Sequence, residues 1–250
     1  MTPNAWLKPS PIILKNLQKL SAKANIPVIA IDGPSASGKG TVAQLVATKL
    51  GFHYLDSGAL YRIVAFAAYR DNIKWNQADT LGSLAQNLDI SFKHGDIFLE
   101  GDRITEAIRS EEMSCGASEV AIHPPVREAL FALQQSFRKT PGLVADGRDM
   151  GSVVFKDAQL KIFLIASVET RAERRFKQLT NKGINADYTQ ILADLQARDL
   201  RDSQRRAAPL LQTADALLLD TTNCNIEQAV AFVLAANQNT SKNISTNIVN

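Results

Sequence analysis

Glycine, hydroxyl and lysine side chains crowd into Gly33-Pro34-Ser35-Ala36-Ser37-Gly38-Lys39-Gly40-Thr41. Glycines let a backbone turn tightly and aim successive N–H groups into one concavity, and a helix starting there adds partial positive charge. The chemistry implied is phosphate binding. Lys39 would reach the β- and γ-phosphates of a nucleoside triphosphate, and Thr41 could set its hydroxyl on Mg2+. A Gly/Ser-rich turn with no ligand is the bland alternative. Against it, an apolar run ends at Asp32 just before the loop, and the apolar-periodic stretch Val42–Leu50 follows it. Those are the strand and helix that a phosphate loop requires.

Two acidic turns and a set of arginines carry the remaining chemistry. Leu55-Asp56-Ser57-Gly58 closes another apolar run, and Tyr61 and Arg62 follow within the first turns of a helix that Ser57 would cap. Asp146-Gly147-Arg148-Asp149 follows Leu143–Ala145. Asp146, at that strand end, could orient Mg2+ directly or through its water shell. A solvated charged turn is the alternative there. Arg171, Arg174 and Arg175 sit together, and Arg198, Arg201, Asp202 and Arg205 recur at the spacing of one helix face. Like charges stacked on one face imply an anion between them, and guanidinium forks suit phosphate; an ion-paired, solvated helix is the competing reading.

No nucleophile–base pair stands out. His53, His94 and His123 are scattered and read as structural or solvated. The missing base is intelligible if the acceptor is itself a phosphate, whose second pKa near ~6 leaves it anionic at neutral pH. Such an acceptor needs positioning and charge screening more than deprotonation.

These residues need a frame. Pro27–Asp32, Phe52–Leu55, Leu143–Ala145, Leu160–Ile165 and Ala216–Leu219 read as five buried strands alternating with helices, which predicts a parallel sheet covered on both faces. Ligands then gather at the carboxyl ends of the strands. Between roughly Asn72 and Glu119 the rhythm changes: Ile90–Lys93, Ile97–Leu99 and Arg103-Ile104, separated by Gly-Asp turns, predict a small antiparallel meander inserted in the fold. Thr170 with Glu173 and Asn225 with Gln228 match helix capping boxes.

The chain has 250 residues, of which 45% are hydrophobic, enough for a core and too apolar for general disorder. Cys115 and Cys224 are too far apart in sequence for a cysteine-built zinc site and fit a reducing, cytoplasmic setting. A net charge of +3 is too small to argue for a nucleic-acid partner, and no apolar run approaches the length of a membrane span. Met1–Asn25 has lysines but no arginine or acid and reads as a poorly ordered or helical extension rather than a targeting peptide. Asn237–Asn250 is almost wholly polar and reads as a frayed tail.

Taken together, Ile31–Thr41, Leu55–Arg62, Ala145–Gly151 and Arg198–Arg205 resemble the motifs of the cytidylate kinases, P-loop nucleoside monophosphate kinases, over about Pro27–Asn237. Gly-Lys-Gly-Thr itself is closer to monophosphate kinases than to GTPases or motor ATPases. The resemblance implies an α/β fold: a P-loop core with a five-stranded parallel sheet flanked by helices, an inserted NMP-binding subdomain with a small antiparallel sheet, and a short lid. The corresponding limits are an extension at 1–26, a kinase domain at 27–237 (core 27–71 and 120–237, insertion about 72–119, lid about 173–187) and a tail at 238–250. It makes Gly33–Thr41 the ATP site, and Ser57, Ser118, Arg127 and Asp149 the readers of cytosine. Arg62, Arg148 and Arg205 become ligands of the acceptor phosphate, with Tyr61 beside them and Arg198 and Asp202 near the ribose. Lys39, Arg62, Arg148 and Arg205 would carry catalysis, with ATP as donor, Mg2+ as cofactor, CMP and dCMP as acceptors, and a monomeric state.

One departure is Ala36, where many relatives have glycine; alanine there implies that the position needs no positive φ. A kinase of another acceptor (UMP, AMP or shikimate) and a regulatory nucleotide-binding protein are the competing readings.

Overall fold

The computed structural model describes residues 26–93 and 95–247, so the expectations for Met1–Asn25, His94 and the last three residues lie outside the described residues. Short aliphatic runs form strands β1 (Val28–Asp32), β2 (His53–Asp56), β6 (Leu143–Gly147), β7 (Leu160–Ile165) and β8 (Leu217–Asp220). Among the described residues these make one parallel sheet in the order β2-β6-β1-β7-β8. Helices supply the crossovers that parallel pairing demands: α1 (Lys39–Leu50), α2 (Ser57–Arg70), α3 (Ala78–Asn87), α4 (Glu111–Val120), α5 (Pro124–Ser136), α6 (Val168–Asn181), α7 (Tyr188–Gln204) and α8 (Ile226–Asn247).

Strand alternation divides the core. Val28 and Ala30 of β1 point into a cluster with Leu60 and Ile63 of α2, Leu81 of α3 and Leu130 of α5. Ile29 and Ile31 point the other way, onto Val42 and Val46 of α1 and Val230 and Val233 of α8. Central β1 is buried along its whole length. The expectation of five buried strands fails at the edge, where Leu217 and Leu218 of β8 are 45% and 50% exposed. An edge strand has a neighbour on one side only, so its apolar residues are half covered.

The meander lies where the Gly-Asp turns put it. Strands β3 (Ile90–Lys93), β4 (Asp96–Leu99) and β5 (Asp102–Arg103) pair antiparallel. Glu100 and Gly101 both take positive φ between β4 and β5, the geometry that matches the twist of a tight hairpin.

Several local expectations are corrected. Asp56 caps α2 rather than Ser57, because its carboxylate accepts from the Ala59 amide at 2.9 Å. Helix α6 is capped by Ser167 rather than by a box starting at Thr170: the helix begins directly after β7, leaving Thr170 inside its first turn as donor to Ser167 Oγ at 3.2 Å. The Asn225–Gln228 box does form, with reciprocal bonds of 3.0 and 2.8 Å. The expected frayed tail is helical to Asn247, since a helix already nucleated over Ile226–Ala236 propagates through the mostly polar residues that follow.

Candidate active site

Three strands end in aspartate on the same side of the sheet: Asp32 on β1, Asp56 on β2 and Asp146 near the end of β6. Parallel register sets Asp56 beside Asp146. The loop from β1 to α1 rises between them. Gly33 is required because a Cβ there would lie 2.0 Å from the Leu164 carbonyl oxygen of β7. Gly38 ends the loop at φ 89° and precedes Lys39. Ala36 also has positive φ, 57°, against the expectation for alanine. The fixed ends of the loop, with Gly33 wedged against β7 and Gly38 opening α1, impose that conformation whatever the side chain.

Lys39 is buried, and its Nζ donates to Pro34 O at 3.2 Å, folding back over its own loop. Burial and then the Arg148 guanidinium lower its pKa to about 7, against the pull of Asp146, Asp56 and Asp202. Tyr54 Oη donates to Asp146 Oδ2 at 2.6 Å. Burial and the neighbouring Asp56 nevertheless raise Asp146 to about 6. Burial opposes ionisation of Asp56 too, but Arg62, 2.6 Å from Oδ2, holds it below the usual carboxylate range. Asp146 sits against the start of α1, 3.7 Å from where a Cβ on Gly40 would be; Thr41 is exposed on the first turn of the same helix.

Arg148 joins the loop to α7: Nη2 donates to Ser35 Oγ at 2.6 Å and Nε to Asp202 Oδ2 at 2.7 Å. Arg171 of α6 donates to Ser35 O at 3.1 Å and pairs with Asp199 of α7. Arg174 reaches Ser37 O at 3.4 Å and the Thr221 carbonyl after β8. Ser37 Oγ itself is buried without a partner among the described residues.

The second half of the site is arginine-rich. Asp149, buried, pairs with Arg127 of α5 and lies 3.8 Å from Arg205. The Arg127 guanidinium lies 5.7 Å from the Tyr61 ring centroid. Ser57 is buried at the start of α2, close enough to Gly147 that a Cβ there would meet its Oγ at 2.8 Å. Ser118 of α4 accepts from Arg201 at 3.4 Å.

The shared helix face expected for Arg198, Arg201, Asp202 and Arg205 is corrected at its last member. Helix α7 stops at Gln204, and Arg205 is extended, ψ 136°, as the chain turns ahead of Pro209. Arg205 reaches Asp149 from the helix end instead. Among the described residues, Arg62 Nε, Arg198 Nε and Arg205 Nη2 are buried without a hydrogen-bond partner. Burial, and then Arg148 close by, lower the pKa of Arg198 to about 10; burial also lowers Arg205, with Arg127 adding to the effect. Each of the three has a carboxylate near it, Asp56 for Arg62, Asp202 for Arg198 and Asp149 for Arg205, yet keeps one N–H group without an acceptor.

Sequence reasoning gave no role to Asp32, Tyr54 and Asp56, and named Arg171 and Arg174 only as members of an arginine group. Asp32 accepts from the amides of Met150 and Gly151, both at 2.8 Å, and so pins the turn that carries Arg148 and Asp149. The signal available for Asp32 and Asp56 was their place at the carboxyl end of an apolar run; nothing in the sequence marks the pairing of Tyr54 with Asp146. His53 and His123 bond the backbone carbonyls of Thr140 and Trp75, which is the structural role expected of them.

The family model described as cytidylate kinase matches residues 29–239. A cytidylate kinase of Polynucleobacter asymbioticus is 59% identical over 209 residues, covering 84% of this chain and 95% of its own. That of Cupriavidus necator is 58% identical over 207 residues, covering 83% and 93%. Among solved structures, a gluconokinase from Sinorhizobium meliloti 1021 is 15% identical with a TM-score of 0.49, covering 88% of this chain and 97% of its own. A match this long to the family model, with relatives this similar over nearly their full length, shows that the chain belongs to the cytidylate kinase family, nucleoside monophosphate kinases built on a P-loop core.

Proposed function

We propose that the protein transfers the γ-phosphoryl group of ATP to the phosphate of CMP, giving ADP and CDP. The observation that carries this reading is the trio of buried, unpartnered N–H groups on Arg62, Arg198 and Arg205. Desolvated donors without acceptors are costly; a dianionic acceptor phosphate would satisfy those of Arg62 and Arg205, and the ribose beside it that of Arg198. ATP lies along Gly33–Thr41, with Ser37 Oγ free for a phosphate oxygen and Lys39 swinging from Pro34 O onto the transferring group. The acceptor is already anionic, so no general base is needed; Arg62, Arg148 and Arg205 screen the two phosphates from each other.

Mg2+, which would neutralise phosphate charge in this chemistry, fits the carboxylates present at this strand edge. Asp146 would hold it directly or through water, with Thr41 on the adjoining turn. The mutual repulsion of Asp56 and Asp146 is the feature that a divalent cation would relieve.

Asp149 and Arg127, with Ser57 and Ser118, read the base. A carboxylate accepts from the exocyclic amine of cytosine, but would face the carbonyl oxygen of uracil, acceptor against acceptor. Asp202 already has Arg148 as partner, so a missing 2′-hydroxyl would not leave it unpaired, and dCMP serves as a second acceptor. Residues 72–119 act as the NMP-binding insertion and residues 173–187 as the lid. Arg175 of α6 on Glu111 and Arg201 of α7 on Ser118 are contacts through which lid helices and insertion meet above the nucleotides.

The test is phosphoryl transfer from ATP, with and without Mg2+, to an equimolar panel of CMP, dCMP, UMP, AMP, GMP and shikimate, on wild type and Asp149→Ala. Transfer to CMP and dCMP at least about tenfold above UMP, reduced in the variant, is expected. Robust transfer to another acceptor overturns the base assignment. ATP binding with no transfer favours the regulatory reading.

A further inference from the structure

A phosphate loop ordinarily carries serine or threonine directly after its lysine, with the hydroxyl on the metal. Here Gly40 holds that place. Thr41, one position on, is turned about 100° around the helix axis and is exposed. The place beside Lys39 therefore has no hydroxyl of its own.

The fold brings one in from another strand. A Cβ on Gly40 would lie 3.5 Å from Tyr54 Oη and 3.7 Å from Asp146 Oδ2, and the hydroxyl donates to that same oxygen at 2.6 Å. The space that a side chain at position 40 would enter is thus bordered by a hydroxyl and a carboxylate already joined. Both distances are ordinary contacts and Gly40 does not take positive φ, so the position would accept a small side chain. Register explains the reach: Tyr54 and Asp56 alternate onto one face of β2, and Asp146 stands beside Asp56 on β6. The Tyr54 ring packs against the core cluster that holds Val144 of β6 and Val46 of α1. A phenol is a donor at neutral pH, and a ring held by packing aims that donor in one direction. Lys39 and Arg148 act on Asp146 by charge, whereas the directed bond comes from Tyr54.

We infer that Tyr54 is a positioning residue for Mg2+: it supplies from β2 the hydroxyl that position 40 lacks, and through it holds the Asp146 carboxylate in one orientation for the ion. The inference rests on the proposed placement of Mg2+ at Asp146. It assigns to Tyr54 an effect on how tightly the metal–nucleotide complex is held, apart from the affinity for the nucleotide alone.

The experiment measures ATP binding by calorimetry, once with Mg2+ and once with EDTA, in the absence of any acceptor. Tyr54→Phe keeps the packed ring and loses only the hydroxyl. It is expected to weaken binding of MgATP about tenfold while leaving ATP affinity in EDTA within about twofold of wild type. With CMP added, the Mg2+ concentration for half-maximal turnover should rise by a similar factor. Gly40→Ser should repair the loss. In the Tyr54→Phe background it is expected to bind MgATP at least about fivefold more tightly than Gly40→Ala does; with Tyr54 intact, the two changes at position 40 should differ by less than about twofold. Unchanged MgATP affinity in Tyr54→Phe, or no advantage of Gly40→Ser over Gly40→Ala in that background, overturns the inference. Asp146→Ala separates the two levels. If it weakens MgATP while Tyr54→Phe does not, only the role of Tyr54 falls; if it leaves MgATP affinity intact, the placement of Mg2+ falls and takes this inference with it. The binding measurements use no acceptor, so they stand whichever nucleotide takes the phosphoryl group.

Discussion

Lys39 is held by the oxygen of Pro34 and by a balance of charges, with Arg148 pushing its proton off and Asp146, Asp56 and Asp202 holding it on. A triphosphate entering the loop tips that balance toward the ammonium form. Lys39→Ala should therefore abolish turnover while CMP binding, followed by calorimetry, stays within about threefold of wild type, because the arginine-rich half of the site does not use this residue. A variant that keeps a tenth of wild-type kcat would contradict the role of Lys39. Ala36 makes a separate point at this scale. Its φ of 57° places an alanine Cβ in the left-handed region. Ala36→Gly should relieve strain of about 1 kcal/mol and raise the thermal midpoint by roughly 2–4 °C.

Among the elements, β6 and the turn after it set the places of Arg148 and Asp149. Two consecutive hydrogen bonds of i to i+5 type, from Val154 to Asp149 and from Phe155 to Met150, build a π-turn at Met150–Val154. Its first amides are pinned by Asp32 from the neighbouring strand. Burial raises the Asp32 pKa to about 6, against the two backbone donors that favour its ionised form. The folded state thus binds this proton more tightly than the unfolded chain does, so the contribution of Asp32 to stability falls as pH rises from about 4 to about 6. Urea unfolding at both pH values should show wild type losing on the order of 1–3 kcal/mol more over this window than Asp32→Asn. Parallel loss in both proteins would remove Asp32 as the cause.

Over the whole molecule, the two halves of the site come from opposite parts of the chain. The loop and Lys39 lie near its start, Arg148 and Asp149 in the middle, and Arg198 and Arg205 near its end. Contacts from α6 and α7 to the loop (Arg171 to Ser35, Arg148 between Ser35 and Asp202) and from α6 to α4 (Arg175 to Glu111) tie these parts together. An enclosure assembled this way would exclude water, which otherwise competes for the phosphoryl group in the proposed transfer. ATP hydrolysis without CMP should therefore run at least about a hundredfold slower than transfer to CMP, in a coupled assay for ADP. Equal rates would mean that the site does not close over its substrates.

Much of this was legible in the residues. The phosphate loop, the parallel sheet and the meander are local: each depends on glycines, on the length of an apolar run or on a turn, and periodicity records all three. The family motifs named Arg62, Arg148, Asp149 and Arg205 for the same reason, since each lies within a few residues of a strand or helix end. The tertiary structure alone decided which charges meet. Asp56 faces Asp146 only through strand register, and Tyr54 reaches Asp146 only across it. Asp32 holds Gly151, 119 positions away, because β1 is adjacent to β6. Arg205 left the helix face because the chain turned before Pro209, and Ala36 took a left-handed φ because its loop is fixed at both ends. Local pattern carries the chemistry of each segment; the partner of a buried charge depends on how distant segments pack, and no window along the chain contains both.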